Sequence, residues 1–336
     1  MMNKQKLLAL EKNDNRTRYS GMKAHMTKII TVTPNTAIDL FVEVEALANQ
    51  DNIQAKSSFE FACGKGINVA KAITSLDMSV TCLGFVGNQS TSAFEMIHSP
   101  LLQTDFTLCE GKTRTNITLF DSLDNRETHI RTAGFEVTAD DCRKLVEKLD
   151  NCATTGDIVI LSGSLPSGTP KNFYQILIEL CHKNSAIPFL DSSGNSLQKG
   201  LTAKPFLIKP NQYELEEIVD KPLPDEKSIV AAARSIVDQG IKWVYVSRAE
   251  KGVMVISDTT VLNAGINPLP GQVVSHIGCG DAMVAGLAVA TLKEATLEAI
   301  IKTGVSSAVA NLFSIEPGRF VRTLQADLSA HAVCMD

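Results

Sequence analysis

The sequence predicts an α/β fold, with a mostly parallel central sheet, helices on both faces and a small β-sheet lid. Three observations predict it. Beyond residue 138, apolar helical patterns alternate with short apolar runs at 158–161, 187–190, 206–208 and 244–246, as expected of strands buried on both faces of a parallel sheet. The front of the chain reads as strand, glycine turn, helix. A second kind of strand, near 38–61 and 113–132, alternates polar with apolar side chains and cannot be covered on both sides, so it belongs in a separate sheet.

In chain order, KIITVT at 28–33 is β-branched and uncharged after its lysine, a strand for the sheet interior that Pro34 ends. Residues 38–44 alternate as a half-exposed strand. Gly64-Lys65-Gly66 then opens a helix patterned through Ile67, Ala70, Ile73 and Leu76. SVTCLGFVG at 79–87 is strand-like. Residues 113–121 and 127–132, separated by the turn-rich 122–126, form a hairpin with one wet face. Thr138-Ala139-Asp140-Asp141 is a helix start. Residues 272–275 read as a strand leading to a helix through Met283, Val284, Leu287, Val289 and Leu292.

Composition narrows the function. With 44% hydrophobic and 21% charged residues over 336 positions, the chain buries a large core. A formal net charge of −5 gives no reason to expect nucleic acid or an anionic membrane as partner, and no apolar run spans a bilayer. Eight scattered cysteines without a CxxC pair read as reduced cytoplasmic thiols. Residues 1–25 are basic and lack a secretory h-region. They read as a loose extension that an alternative start at Met26 explains more simply than function, ahead of one domain over 26–336.

Ligands of open parallel sheets gather beyond the carboxyl ends of the strands, so the polar residues there are the candidates. Gly278-Cys279-Gly280-Asp281 sits at a helix mouth, where backbone amides and the helix dipole favour an anion. Asp281 fits two roles on local sequence: a helix cap, or a base that takes a proton from a substrate hydroxyl while the amides hold the transferring phosphoryl oxygens. SGSLPSG at 162–168 is a polar-ligand loop or an ordinary turn. The next strand ends deliver Asp191 and then Lys209-Pro210-Asn211, with Glu214 a turn further on. A cation, an amide and two carboxylates suit nucleotide phosphates and a hydrated Mg²⁺. Those strand ends favour the base over the cap. Lys65 and Asn68 flank a glycine turn, a further anion or sugar site. Arg114 either grips a phosphate or lies on a solvated hairpin face.

Taken in series, these segments resemble the PfkB/ribokinase-like carbohydrate kinases, most closely the 1-phosphofructokinase and tagatose-6-phosphate kinase branch. They are TPNTAID at 33–39, GKGINVA at 64–70, TRTNI at 113–117, SGSLPSG at 162–168, LIKPNQYEL at 207–215 and GCGDAMVAG at 278–286. The resemblance covers about residues 27–320. It implies a ribokinase-like three-layer α/β/α fold, a lid that pairs two chains into a homodimer, and phosphoryl transfer from ATP with Mg²⁺ to a sugar phosphate, fructose 1-phosphate first and tagatose or fructose 6-phosphate next. A sugar-phosphate-binding regulator is the alternative from outside enzymology. By the resemblance, Asp281 is the base and the amides of Gly278, Cys279 and Gly280 the anion hole. Asp39, Gly64 and Asn68 fall on the sugar, and Lys65, Arg114 and Ser164 on its existing phosphate. Lys209, Asn211, Ser247 and Gly252 fall on the nucleotide, and Glu214 with Asp191 on the Mg²⁺ side.

The chain departs from that pattern at Cys63 and Cys279 and at Ala249, where a glycine of positive φ is usual. NQDNIQ at 49–54 lacks the lysine or arginine that phosphosugar-specific relatives present to the substrate. Either Arg131, in HIRTAG, or Lys56 restores that charge.

Overall fold

The structure is a computed structural model that describes residues 27–47, 52–267, 269 and 271–335. The extension expected at 1–25 and residues 49–51 of NQDNIQ lie outside the described residues.

The chain opens with β1 (Ile29–Thr33), β2 (Ala37–Val44), β3 (Ser57–Cys63), α1 (Lys65–Ser75) and β4 (Val80–Gly87). A short α2 (Thr91–Glu95) leads to β5 (Leu102–Cys109), β6 (Arg114–Asp121) and β7 (Arg126–Arg131). Next come α3 (Ala139–Cys152), β8 (Ile158–Ser162), α4 (Phe173–Lys183), β9 (Ile187–Asp191), α5 (Gly194–Leu201) and β10 (Leu207–Ile208). The run α6 (Gln212–Val219), α7 (Glu226–Val237), β11 (Trp243–Ser247), β12 (Val253–Ile256) and β13 (Val261–Gly265) precedes three helices and a last strand. These are α8 (Cys279–Leu292), α9 (Leu297–Asn311), α10 (Arg322–His331) and β14 (Val333–Met335).

Ten strands form the central sheet in the order β14-β13-β12-β11-β10-β9-β8-β1-β4-β5, and four form a second sheet, β3-β2-β6-β7. From β5 to β11 every pairing is parallel; β12, β13 and β14 add an antiparallel edge. β1 is buried throughout, and alternation shares it between two cores. Ile30 and Val32 join the apolar cluster containing Leu145, Leu177 and Ile236 of α3, α4 and α7, whereas Ile29 joins Ile67, Leu287 and Val305 of α1, α8 and α9. Helices therefore cover both faces, the three-layer arrangement expected.

Several local expectations hold for stated reasons. Thr138 caps α3, accepting from the amide of Asp141, whose carboxylate accepts from the Thr138 amide in return. β6 and β7 pair antiparallel, joined at the 122–126 turn. α8 is buried continuously from Asp281 to Ala290, because Gly286 lets α9 approach so closely that a Cβ there meets Thr303 O at 2.5 Å. One expectation fails. Residues 272–275 form no strand: the amides of Val274 and Ser275 both turn to Leu312 O, at 2.8 and 3.1 Å, and Val274 is exposed.

Candidate active site

Lys209 after β10, Asn68 of α1 and, through its charge, Asp191 at the end of β9 meet the N-terminus of α8. Gly278 is the N-cap, in the left-handed region at φ 83°, where an added Cβ falls 2.9 Å from Pro317 Cβ, so glycine is required. As a helix start, the first-turn amides of Cys279, Gly280 and Asp281 have no carbonyl one turn back. Asn311, fully buried, holds this mouth: its amide donates to Ile277 O at 2.8 Å and its Oδ1 accepts from Gly318 N at 2.8 Å.

Asp281 is not a cap. It lies three residues inside α8 and makes no capping bond; its Oδ2 accepts from Asn68 Nδ2 at 2.9 Å. It is 6% exposed. Burial pushes its pKa up to about 6, Lys65 opposes the shift, and the charge of Asp191 adds to it. Burial raises the Cys279 thiol pKa, and Asn311 donates to its sulfur at 3.5 Å.

Opposite Asp281 lies a charge cluster in which Asp191 and Lys209 are buried and Lys65 is partly exposed. Asp191, at the end of β9, faces Lys65 Nζ at 3.5 Å and Lys209 Nζ at 3.6 Å. Burial works against the ionised Asp191, yet the two ammonium groups hold its pKa below the usual carboxylate value. The same attraction, with further help from Asp281 and Glu214, raises the Lys65 pKa. Lys209 also reaches α8: a Cβ on Gly280 falls 3.1 Å from its Nζ. Asn211 caps α6, and Glu214 closes the capping box by accepting from Asn211 N at 2.9 Å through Oε2. Among the described residues Asn68 Oδ1, Ser162 Oγ and Asp191 Oδ2 are buried without a hydrogen-bond partner, as are Thr107 Oγ1, Thr169 Oγ1 and Arg248 Nε elsewhere. The first three belong to α1, β8 and β9, and a polar ligand at that edge would satisfy them.

The small sheet forms the other wall. Asp39 Oδ1 accepts from Asn116 Nδ2 at 2.7 Å. Arg114 is held by Thr36 O, Asn35 O and Asn116 Oδ1 at 3.3, 3.2 and 3.4 Å, and Asn35 Nδ2 donates to Ser164 Oγ at 2.9 Å, so Asn35 joins Arg114 to Ser164. Gly64, at φ 128°, lets the start of α1 approach Thr33, whose Cγ2 lies 2.8 Å from where a Cβ would be. Cys63 is buried beside Asp39, and burial pushes its pKa well above the thiol range, leaving it neutral. A cleft of about 230 Å³ lies between Asp39, Phe41, Phe59, Phe61 and Phe120 on this sheet and Ile277, Ile315 and Pro317. The sequence reading missed Asn35, Asn116, Asn311 and Lys71. The last is fully buried, donates to Ala62 O at 2.8 Å and pairs with Glu316 at 2.7 Å.

At the β11 end, Ser247 bridges to Asn211 and Gly252 sits at φ 75°, where a Cβ would meet Ala264 O at 2.2 Å. Ala249, flagged by its departure from glycine, occupies the left-handed region at φ 51°, at a cost of about 1 kcal/mol. Arg248 steadies this turn through Glu226 at 2.6 Å, Asn263 at 2.7 Å and Lys251 O at 3.3 Å.

Two lysines and two carboxylates brought to an open helix mouth, Asp191 and Lys209 from the parallel sheet, Lys65 from α1 and Asp281 from α8, define a phosphotransferase site. Comparison with known proteins gives the family. The model of the pfkB family carbohydrate kinases matches residues 27–322. The 1-phosphofructokinase of Bacillus subtilis is 32% identical over 88% of this chain and 97% of its own length, and that of Escherichia coli K12 is 34% identical over 85% and 90%. Phosphofructokinase-2 of E. coli, solved with potassium, superposes with a TM-score of 0.82 at 25% identity, covering 91% of this chain and 99% of that one, and has also been solved as a tetrameric inhibited form. The chain belongs to the pfkB family of carbohydrate kinases, and is a phosphotransferase with an alcohol group as acceptor.

Proposed function

We propose that the protein transfers the γ-phosphoryl group of ATP to a ketohexose monophosphate, converting fructose 1-phosphate to fructose 1,6-bisphosphate in the cytoplasm. The observation that carries the chemistry is Asp281: a buried carboxylate with a pKa near 6, beside the free amides of a helix mouth and two lysines. Ionised at pH 7, it accepts the proton of the attacking hydroxyl. The amides of Gly278, Cys279 and Gly280, with Lys209 beside Gly280, receive the negative charge that grows on the transferring oxygens. A sugar-phosphate regulator without turnover has no use for such a carboxylate.

Asn68 fixes Asp281 and offers its orphaned Oδ1 to the sugar, while Asp39, oriented by Asn116, receives a second hydroxyl. Arg114 and Ser164, joined through Asn35, take the acceptor's own phosphate. We assign Lys65 to the incoming phosphoryl group rather than to that phosphate, because its ammonium lies on Asp191 and in the field of Asp281. Asn211, Ser247 and Gly252 hold the nucleotide.

The residues fit a hydrated Mg²⁺ carried mainly by the nucleotide phosphates. Glu214 has one oxygen left over from its capping box, whereas Asp191 is largely engaged by Lys65 and Lys209 and keeps only Oδ2 free. When bound, the ion supplies charge neutralisation between the phosphates. Two chains pair through the small sheet; the tetrameric form of the E. coli relative makes higher assembly a further outcome of a sizing experiment.

ADP release measured with fructose 1-phosphate, fructose 6-phosphate, tagatose 6-phosphate and fructose tests the reading. The highest kcat/KM is expected with fructose 1-phosphate. Turnover of fructose with none of any hexose phosphate refutes it.

A further inference from the structure

The acceptor's phosphate carries about −1.5 to −2 charge at pH 7, and one guanidinium does not balance it. The inference that follows rests on the reading of the acceptor as a sugar phosphate. Lys65 is engaged by Asp191, so Arg114 needs a second cation, and the 49–54 segment carries none.

Lys56, Arg126 and Arg131 also stand on or beside the small sheet, as does His129, which is engaged by Thr118 and Glu127. Lys56 lies at its far end, where its amide bonds Glu43 O and its Nζ donates to Ser122 Oγ at 2.9 Å. Arg126 is at the same far end, in register with Asp121. Arg131 is at the near end, in register with Asn116. Residues directly opposite on antiparallel strands project to one face, so Arg131 shares its face with Asn116 and, through the parallel register of β2 and β6, with Asp39. Arg114, two residues before Asn116 on β6, lies on that face too.

Arg131 and Arg114 thus flank the Asn116–Asp39 pair. They are close enough for the charge of Arg131, after burial itself, to help depress the Arg114 pKa. Arg131 is exposed, and among the described residues its guanidinium makes no hydrogen bond or ion pair. Two guanidinium groups held near one another repel, and a dianion between them relieves that repulsion while forming charge-assisted hydrogen bonds.

We propose that Arg131 is a second phosphate ligand of the acceptor site, gripping the acceptor's existing phosphate together with Arg114 from the β7 side of the small sheet. The charge missing from the 49–54 segment is supplied by β7, and selection for a phosphorylated acceptor is a joint property of Arg114 and Arg131.

The test compares wild type with Arg131→Gln, Arg131→Lys and Arg114→Gln in steady-state kinetics with fructose 1-phosphate and with fructose. Arg131→Gln should raise KM for fructose 1-phosphate about ten- to hundredfold and leave KM for ATP within about twofold. KM for fructose should not change, and Arg131→Lys should recover part of the loss. Because Arg131 is exposed, the variants should melt as wild type does. An unchanged KM for fructose 1-phosphate in Arg131→Gln, or an equal rise for fructose, overturns the proposal. If Arg114→Gln shows the phosphate-selective loss and Arg131→Gln does not, this inference falls while the acceptor reading stands. If wild type handles fructose as well as its phosphate, both fall.

Discussion

Asp281→Asn should make the protein inactive and more stable at once. The ordinary carboxyl value of 3.8 and the value of about 6 in the fold are separated by about 3 kcal/mol of preference for the neutral form. Burial is the main cause, and the attraction of Lys65 is already counted against it. A carboxyl whose folded pKa lies above its unfolded one penalises the fold only when ionised. The penalty is absent below about pH 4, grows between pH 4 and 6, and is complete above. Asparagine keeps an oxygen for Asn68 Nδ2 and never ionises. Asp281→Asn should therefore exceed wild type by up to about 3 kcal/mol at pH 8, a rise of several degrees in Tm, with the gap closing towards pH 4. Turnover should fall about a thousandfold, because the amide cannot accept the hydroxyl proton. Thermal melts from pH 4 to pH 8 and a coupled assay read both effects. A variant no more stable than wild type at pH 8, or a gap that does not depend on pH, refutes the buried-charge argument; near-normal turnover refutes the base.

Two further predictions concern side chains of α1, Asn68 and Lys71. The acid limb of kcat/KM should fall near pH 6, and Asn68→Ala should move it upward, since the lost donor no longer favours the ionised form; an unmoved limb in pH–rate profiles counts against the contact. Glu316→Gln should cost about 3 kcal/mol in urea unfolding by leaving the buried Lys71 ammonium without its anion, and Lys71→Met should cost less, because Glu316 is 30% exposed and is rehydrated; the reverse order rejects this account.

The parallel sheet was legible because β1, β8 and β9 are covered on both faces, so that β8 and β9 are apolar up to their last residue and β1 is uncharged and largely β-branched. β5 gave no such signal: LQTDFTLC mixes polar and apolar residues at the sheet edge, with burial that varies along the strand. The antiparallel β12 and β13 escaped notice because no α-helix separates them from β11 or from each other, so they fall outside the helix–strand alternation that marked the parallel strands. Residues 272–275 misled in the opposite direction. Two adjacent valines suggest a strand, but their segment has α9 rather than another strand beside it, and its amides end on Leu312 O.

The site divides in the same way. Glycine turns and charged strand ends announce themselves locally, so Gly278, Gly64, Asp191 and Lys209 could be read from the chain. Asn35 and Asn116 could not, because an asparagine that orients a carboxylate or joins two ligands has the same local signature as one in a turn. The pairings were hidden more deeply: Lys65 meets Asp191 across 126 positions and Asn68 meets Asp281 across 213. A carboxylate at a helix mouth serves equally as cap or base in any short window, because both uses need the same residue in nearly the same place. What separates them is the donor the carboxylate faces. A cap faces the amides of its own helix. Asp281 faces Asn68, delivered by another helix, through Oδ2, which leaves the amides of its own helix mouth to a phosphoryl group.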